Sequence, residues 1–133
     1  MEEALFTEIK NNSALATLLT ITGSSPVAYH IYPLRLPDNF SETADYALTY
    51  TQVSEERVYP TLKRSRIQFN CFGRSFIKAR NLADALDECL DDLASEKLGG
   101  TLNTAYIKVE GKQALYDDVS KLWYFAVDIS VKY

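Results

Sequence analysis

Three segments decide how this chain folds: Ile31-Tyr32-Pro33-Leu34-Arg35-Leu36-Pro37-Asp38-Asn39, Asp45-Tyr46-Ala47-Leu48-Thr49-Tyr50-Thr51-Gln52-Val53-Ser54, and Arg66-Ile67-Gln68-Phe69-Asn70-Cys71-Phe72. In each, apolar and polar residues alternate with the two-residue period of a half-buried strand. The alternation predicts strands over residues 28–36, 45–54 and 64–73. Pro33 and Pro37 have no N–H to give to a ladder, which puts the first strand at a sheet edge or a bulge. The connection over residues 55–63 is polar, contains Pro60, and is too long for a tight turn.

Downstream, the period changes from two to 3.6. Over residues 76–95, Ala79, Leu82, Ala83, Leu86, Cys89, Leu90 and Leu93 fall on one side of a helix. Asp84, Asp87, Glu88, Asp91 and Asp92 fall on the other. Gly73-Arg74-Ser75 carries the third strand into this helix, and Gly99-Gly100 releases the chain from it. Two further strands follow. Ala105, Ile107 and Val109 alternate with Tyr106, Lys108 and Glu110, and Trp123, Phe125, Val127, Ile129 and Val131 with Tyr124, Asp128, Ser130 and Lys132. This pattern places Trp123 in the core. Upstream, residues 3–20 read as helix, with Asn11-Asn12-Ser13 interrupting them and Ser13 as N-cap of a short second helix. The predicted fold is α+β: a mainly antiparallel sheet of about five strands, in the order helix, three strands, helix, two-strand hairpin, with helices packed on one face.

The Ile-Tyr-Pro strand with a second Pro four residues later, the Tyr-x-Leu-x-Tyr strand, and the Arg-Ile-Gln-Phe-x-Cys-Phe strand carry a resemblance, together with the helix and closing hairpin that follow. The chain resembles the tail-completion (tail-terminator, head–tail joining) proteins of long-tailed phages over nearly its whole length. A Pro commonly precedes the second strand in such proteins, where this chain has Ser41-Glu42-Thr43-Ala44-Asp45. The resemblance implies a structural virion subunit, assembled in the host cytoplasm, that caps the tail tube as a homo-oligomeric, hexameric ring and docks the tail to the head. The implied partners are other copies of itself, the tail tube protein and the head-completion (connector) protein. DNA would only pass through the lumen, and no membrane is involved.

Composition agrees with a folded protein. The 133 residues suit one domain, residues 1–133, and 47% hydrophobic with 24% charged residues is ordinary for a soluble one. Nothing approaches the run of about 18 apolar residues needed to span a membrane. The acidic start Met1-Glu2-Glu3-Ala4 is unlike a signal peptide, so synthesis inside the cell is expected. A net charge of −4 argues against a surface that coats nucleic acid.

Chemistry-bearing motifs are scarce. Cys71 and Cys89 follow the apolar faces of their elements and read as small buried hydrophobes in a reducing compartment. They make no zinc site, because there is no Cys-x-x-Cys and His30 is the sole histidine. His30 has no sequence-local partner and reads as structural. No nucleophile elbow, P-loop or dinucleotide fingerprint occurs, so no enzyme, cofactor or metal is expected.

Two sets of residues remain as candidate contact surfaces. The first is Glu55, Glu56, Arg57, Tyr59, Lys63 and Arg64, either an exposed hairpin tip or, as the resemblance implies, a loop projected at a lumen or docking partner. The second is Asp87, Glu88 and Asp91 on the long helix, where Lys78 and Arg80 near the N-terminus and acids in the C-terminal half reverse what the helix dipole favours. That face either keeps the chain soluble or meets a basic surface on a neighbouring subunit or lines a passage. The nine tyrosines suit protein contacts, since each buries well and keeps a polar handle. A different reading of the same features is a small adaptor domain that binds a protein partner by strand addition.

Overall fold

The structure, a computed structural model, describes residues 2–21, 28–36, 45–59, 62–91, 97–98, 102–103, 106–118 and 121–132. Two long hairpins dominate it. β2 (Tyr46–Tyr59) pairs antiparallel with β3 (Leu62–Gly73), and β6 (Tyr106–Asp117) pairs antiparallel with β7 (Leu122–Lys132). β3 and β7 then pair with each other, antiparallel, from Arg64↔Lys132 to Gly73↔Trp123. A short β1 (Ile31–Pro33) completes the sheet, whose order is β1-β2-β3-β7-β6. β4 (Lys97–Leu98) and β5 (Leu102–Asn103) form a separate two-stranded pair.

The fold is therefore α+β and mainly antiparallel, as the periodicity predicts. Three local readings change. β1 is shorter than residues 28–36 and runs parallel to β2, from Ile31↔Leu48 to Pro33↔Tyr50. Leu34 leaves the ladder with φ of 66°, and its N–H donates to the Tyr50 carbonyl at 2.9 Å. Pro33 sits at an edge, where its missing N–H costs no ladder bond. Residues 55–63 are not a long loop: β2 continues to Tyr59 and β3 begins at Leu62, so this stretch is a two-stranded ribbon. It lacks an apolar stripe because Val53, Ser54, Glu55, Glu56 and Arg57 are all exposed. β6 likewise extends to Asp117, past the predicted Glu110, because its second half is an exposed edge with no alternating burial to mark it.

The helices are α1 (Glu2–Asn11), α2 (Ser13–Leu19) and α3 (Phe76–Asp91). The predicted continuation of α3 through residue 95 and the Gly99-Gly100 release lie outside the described residues. Asn12, not Ser13, caps α2: its Oδ1 accepts from the Leu15 N–H at 3.1 Å, meeting one of the donors a helix start leaves free. Ser75 does the same for α3, accepting from the Lys78 N–H at 3.2 Å.

One core forms between the helices and one face of the sheet. Leu5, Ile9, Leu15, Leu19, Leu82, Leu86 and Leu90 meet Leu48, Ile67, Phe69, Cys71, Val127, Ile129 and Val131. Burying each large side chain contributes about 1.5–3 kcal/mol. A smaller cluster of Ala47, Phe72 and Leu122, with Tyr32, Leu36 and Tyr124 against it, forms separately. Trp123 departs from its predicted place. It remains 36% exposed, because β7 begins where the cover of α3 ends, and Phe76 at the helix start meets it edge-on.

Candidate functional site

The β2–β3 ribbon gathers the first set of charged residues on facing strands. Glu56 lies across from Arg64 and Arg57 from Lys63, while Tyr59 pairs with Leu62. Lys63 Nζ lies 3.7 Å from Glu55 Oε1, and Arg64 forms an ion pair with Glu56. The Gln52 side-chain amide donates to Glu55 Oε2 at 3.0 Å. These side chains are largely solvated, so each pair is worth under about 1 kcal/mol and serves mainly to hold the ribbon's register. β7 accompanies β3 only as far as Arg64, which leaves residues 57–59 and 62–63 projecting past that pairing. Arg57 and Arg66 are exposed and form no ion pair among the described residues. Arg66, at the start of the third quoted segment, is held within the sheet opposite Ser130 of β7, on the face turned away from the helices. The Tyr59 side chain lies outside the described residues.

The second set is on α3. Glu88 is exposed and Asp87 half-buried, and Asp91 is the last helical residue, its side chain outside the described residues. The charge arrangement that opposes the helix dipole is offset by tertiary contacts. Lys112 of β6 reaches across, with Nζ 2.6 Å from Asp87 Oδ2 and 3.4 Å from Asp84 Oδ1. Partial burial by itself lowers the Lys112 pKa, but the hydrogen bonds and charges of Asp87 and then Asp84 outweigh it and raise it. Lys78 Nζ meets Asp45 Oδ1 at 2.8 Å, and Arg80 Nε is 3.9 Å from Asp84 Oδ2. Lys112 gave no sequence signal because its partners are distant along the chain. The structure does not bring the two sets together: the ribbon belongs to β2 and β3, while Lys112 ties the acidic face to β6, on the far edge of the sheet.

A third surface escaped sequence reasoning. Trp123 sits 4.9 Å from Tyr116 and 5.6 Å from Phe76 between ring centroids, and Phe76 is 5.4 Å from Phe125. Beside them Ile77 is 67% exposed. This cluster occupies the Gly73 end of the sheet, opposite the ribbon tip.

His30 has a local partner after all: its Nδ1 lies 2.8 Å from Tyr32 Oη. Partial burial lowers the His30 pKa and raises that of Tyr32. Cys71 and Cys89 are buried free thiols. Burial, against a weaker opposing effect of Lys112, pushes Cys71 well above the ordinary thiol range. Burial, with Glu8 adding to it, pushes Cys89 up to about 11. Both are thus poor nucleophiles. An apolar cleft between α1 and the sheet, lined by Leu5, Phe6, Ile9, Ile31, Tyr50, Ile67 and Phe69, has room for about one water. It offers no converging polar groups for a substrate. Among the described residues, no group of His, Cys, Asp or Glu side chains is arranged to hold a metal ion, and no helix is long and apolar enough to cross a membrane.

No protein-family model matches the chain, and no curated protein matches it. A solved structure does. A chain from the virion of a native gene transfer agent (GTA) particle superposes with a TM-score of 0.67, covering 99% of this chain and 92% of that one at 13% identity. The two chains share a fold.

Proposed function

We propose that this chain is a structural virion subunit, a tail terminator that caps the tail tube as a hexameric ring and joins the tail to the head. The observation that carries the reading is the end-to-end fold likeness to a chain of a gene transfer agent virion, at 99% and 92% coverage. It agrees with the resemblance read from the strands over residues 31–72. In this reading the chain is not an enzyme and has no cofactor. Its work is to present surfaces: to other copies of itself, to the tail tube protein, and to the connector of the head. DNA passes through the lumen without being read, and the protein resides in the particle at the head–tail junction after assembly in the host cytoplasm.

One observation favours a second reading, an adaptor that completes its sheet with a strand from a protein partner. β1 pairs with β2 only at Leu48, Thr49 and Tyr50, and among the described residues the outer side of β2 is open from Thr51 onward. Stoichiometry separates the two, since an adaptor binds its partner one to one and forms no closed ring. The primary test is electron microscopy of lysates from particles lacking this gene, with and without complementation. Filled heads beside unjoined or overlong tails, rescued by the protein, are expected. Normally joined particles without it would eliminate the tail-completion reading.

A further inference from the structure

The β2–β3 ribbon carries positive charge that its own chain leaves unmet. Lys63 and Arg64 are held by Glu55 and Glu56, whereas Arg57 on β2 has no acidic partner among the described residues. Among the described residues the same ribbon presents an open ladder edge from Thr51 to Tyr59, with Val53 58% exposed upon it. Unpaired strand edges are where a second chain most readily adds. A two-stranded ribbon standing clear of its sheet also has little support of its own.

The opposite flank has the complementary character. β6 is the other edge of the sheet, and above it α3 turns Asp84, Asp87 and Glu88 outward. Lys112 is shared between Asp84 and Asp87, and Glu88 is exposed with no ion pair among the described residues. β7 separates this flank from the ribbon, and β3 also lies between it and the open β2 edge, so the two surfaces of one chain are held apart. Those of successive copies are not. Three antiparallel pairings lie between β2 and β6, so these two edge strands run in opposite directions. Copies set side by side in one orientation therefore offer each other antiparallel edges.

We propose that the β2 edge of one copy's ribbon docks along the β6–α3 flank of the next, with Arg57, which shares the helix-covered side of the sheet, directed at Glu88 and the neighbouring acids. The contact is heterologous: the two patches differ, and a rotation that closes on itself turns such contacts into a ring. It rests on the ring-forming reading above and names the surfaces that would make the ring.

The test uses the purified full chain with Ser54→Cys on the ribbon and Gln113→Cys on β6, both exposed positions. The native thiols are buried, so a short bismaleimide joins only the introduced ones. Each single variant alone is expected to stay uncrosslinked, their mixture to give a mixed dimer, and the double variant to give a ladder ending at the ring number. Arg57→Glu is expected to weaken self-association about tenfold by sedimentation, and Glu88→Lys to recover part of the loss. Dimers from either single variant alone, or no mixed product at the highest soluble concentration, would overturn the proposal. A ladder from a protein whose deletion leaves joined particles keeps the contact and removes the tail-completion reading. Unjoined heads and tails without any mixed product do the reverse.

Discussion

Gly73 shows how one residue sets the approach of a helix to a strand. A Cβ placed there would lie 2.3 Å from the Ala79 backbone nitrogen and 2.8 Å from the Lys78 carbonyl carbon, neither of which can turn aside. Gly73→Ala is expected to cost about 1–3 kcal/mol, read as a lower urea midpoint at unchanged slope. A midpoint equal to wild type would mean that the strand-to-helix turn relaxes freely. His30 supplies the pH response at this scale. Its folded pKa lies below the ordinary 6.5, so the unfolded chain takes up the proton first. Its contribution is thus intact above about pH 6.5 and declines as the pH falls through that value towards the folded pKa. Thermal scans from pH 7 to 5 should show a steeper loss for the natural protein than for His30→Gln. Parallel curves would assign the acid response elsewhere. The burial of Cys71, Ile67 and Phe69 was legible from parity, but the Tyr32 partner of His30 was not, because it depends on how β1 turns in beside β2.

At the scale of elements, α3 was the most legible. Of the residues on its predicted apolar side, Ala79, Leu82, Ala83, Leu86 and Leu90 are fully buried and Cys89 nearly so, while Leu93 lies outside the described residues. Its acidic side looked unsupported only because the support comes from β6. Lys112→Gln is expected to cost about 1 kcal/mol in urea denaturation, since the pair is only partly buried and water still screens it. The difference should vanish above the raised Lys112 pKa, where the lysine is neutral and the pair is lost. A cost of several kcal/mol would mean that the contact holds β6 and α3 together. The ribbon was the least legible element. Polar residues on both faces read as a loop, yet Glu56↔Arg64 and the neighbouring pairs extend the ladder to its tip. Replacing residues 57–63 by Asn-Gly, so that Glu56 and Arg64 flank a two-residue turn, is expected to leave circular dichroism and melting temperature near those of the natural chain. The same variant should lose self-association. Retained self-association, or a collapsed fold, would each show that the ribbon has a different role.

For the whole molecule, the sheet has two unlike edges and two unlike ends. The β2 edge carries Arg57 and the β6 edge lies under Glu88, neither with an ion pair among the described residues. The ribbon tip is charged, and the Gly73 end is aromatic, with Phe76, Tyr116 and Trp123 partly exposed. A subunit with dissimilar surfaces all round suits an assembly in which every contact is with something different. The class of fold, the long helix and its buried side, the central strands, and the burial of both cysteines are legible along the chain. Each of these follows from burial repeating at the period of a helix or strand, which is written locally. That β1 runs parallel, that residues 55–59 and 62–63 extend two strands, that Lys112 meets Asp87, and that Trp123 stays partly exposed emerge only once the chain is folded. Strand neighbours, edges and the reach of helical cover depend on residues far apart along the chain, and local periodicity carries no record of them.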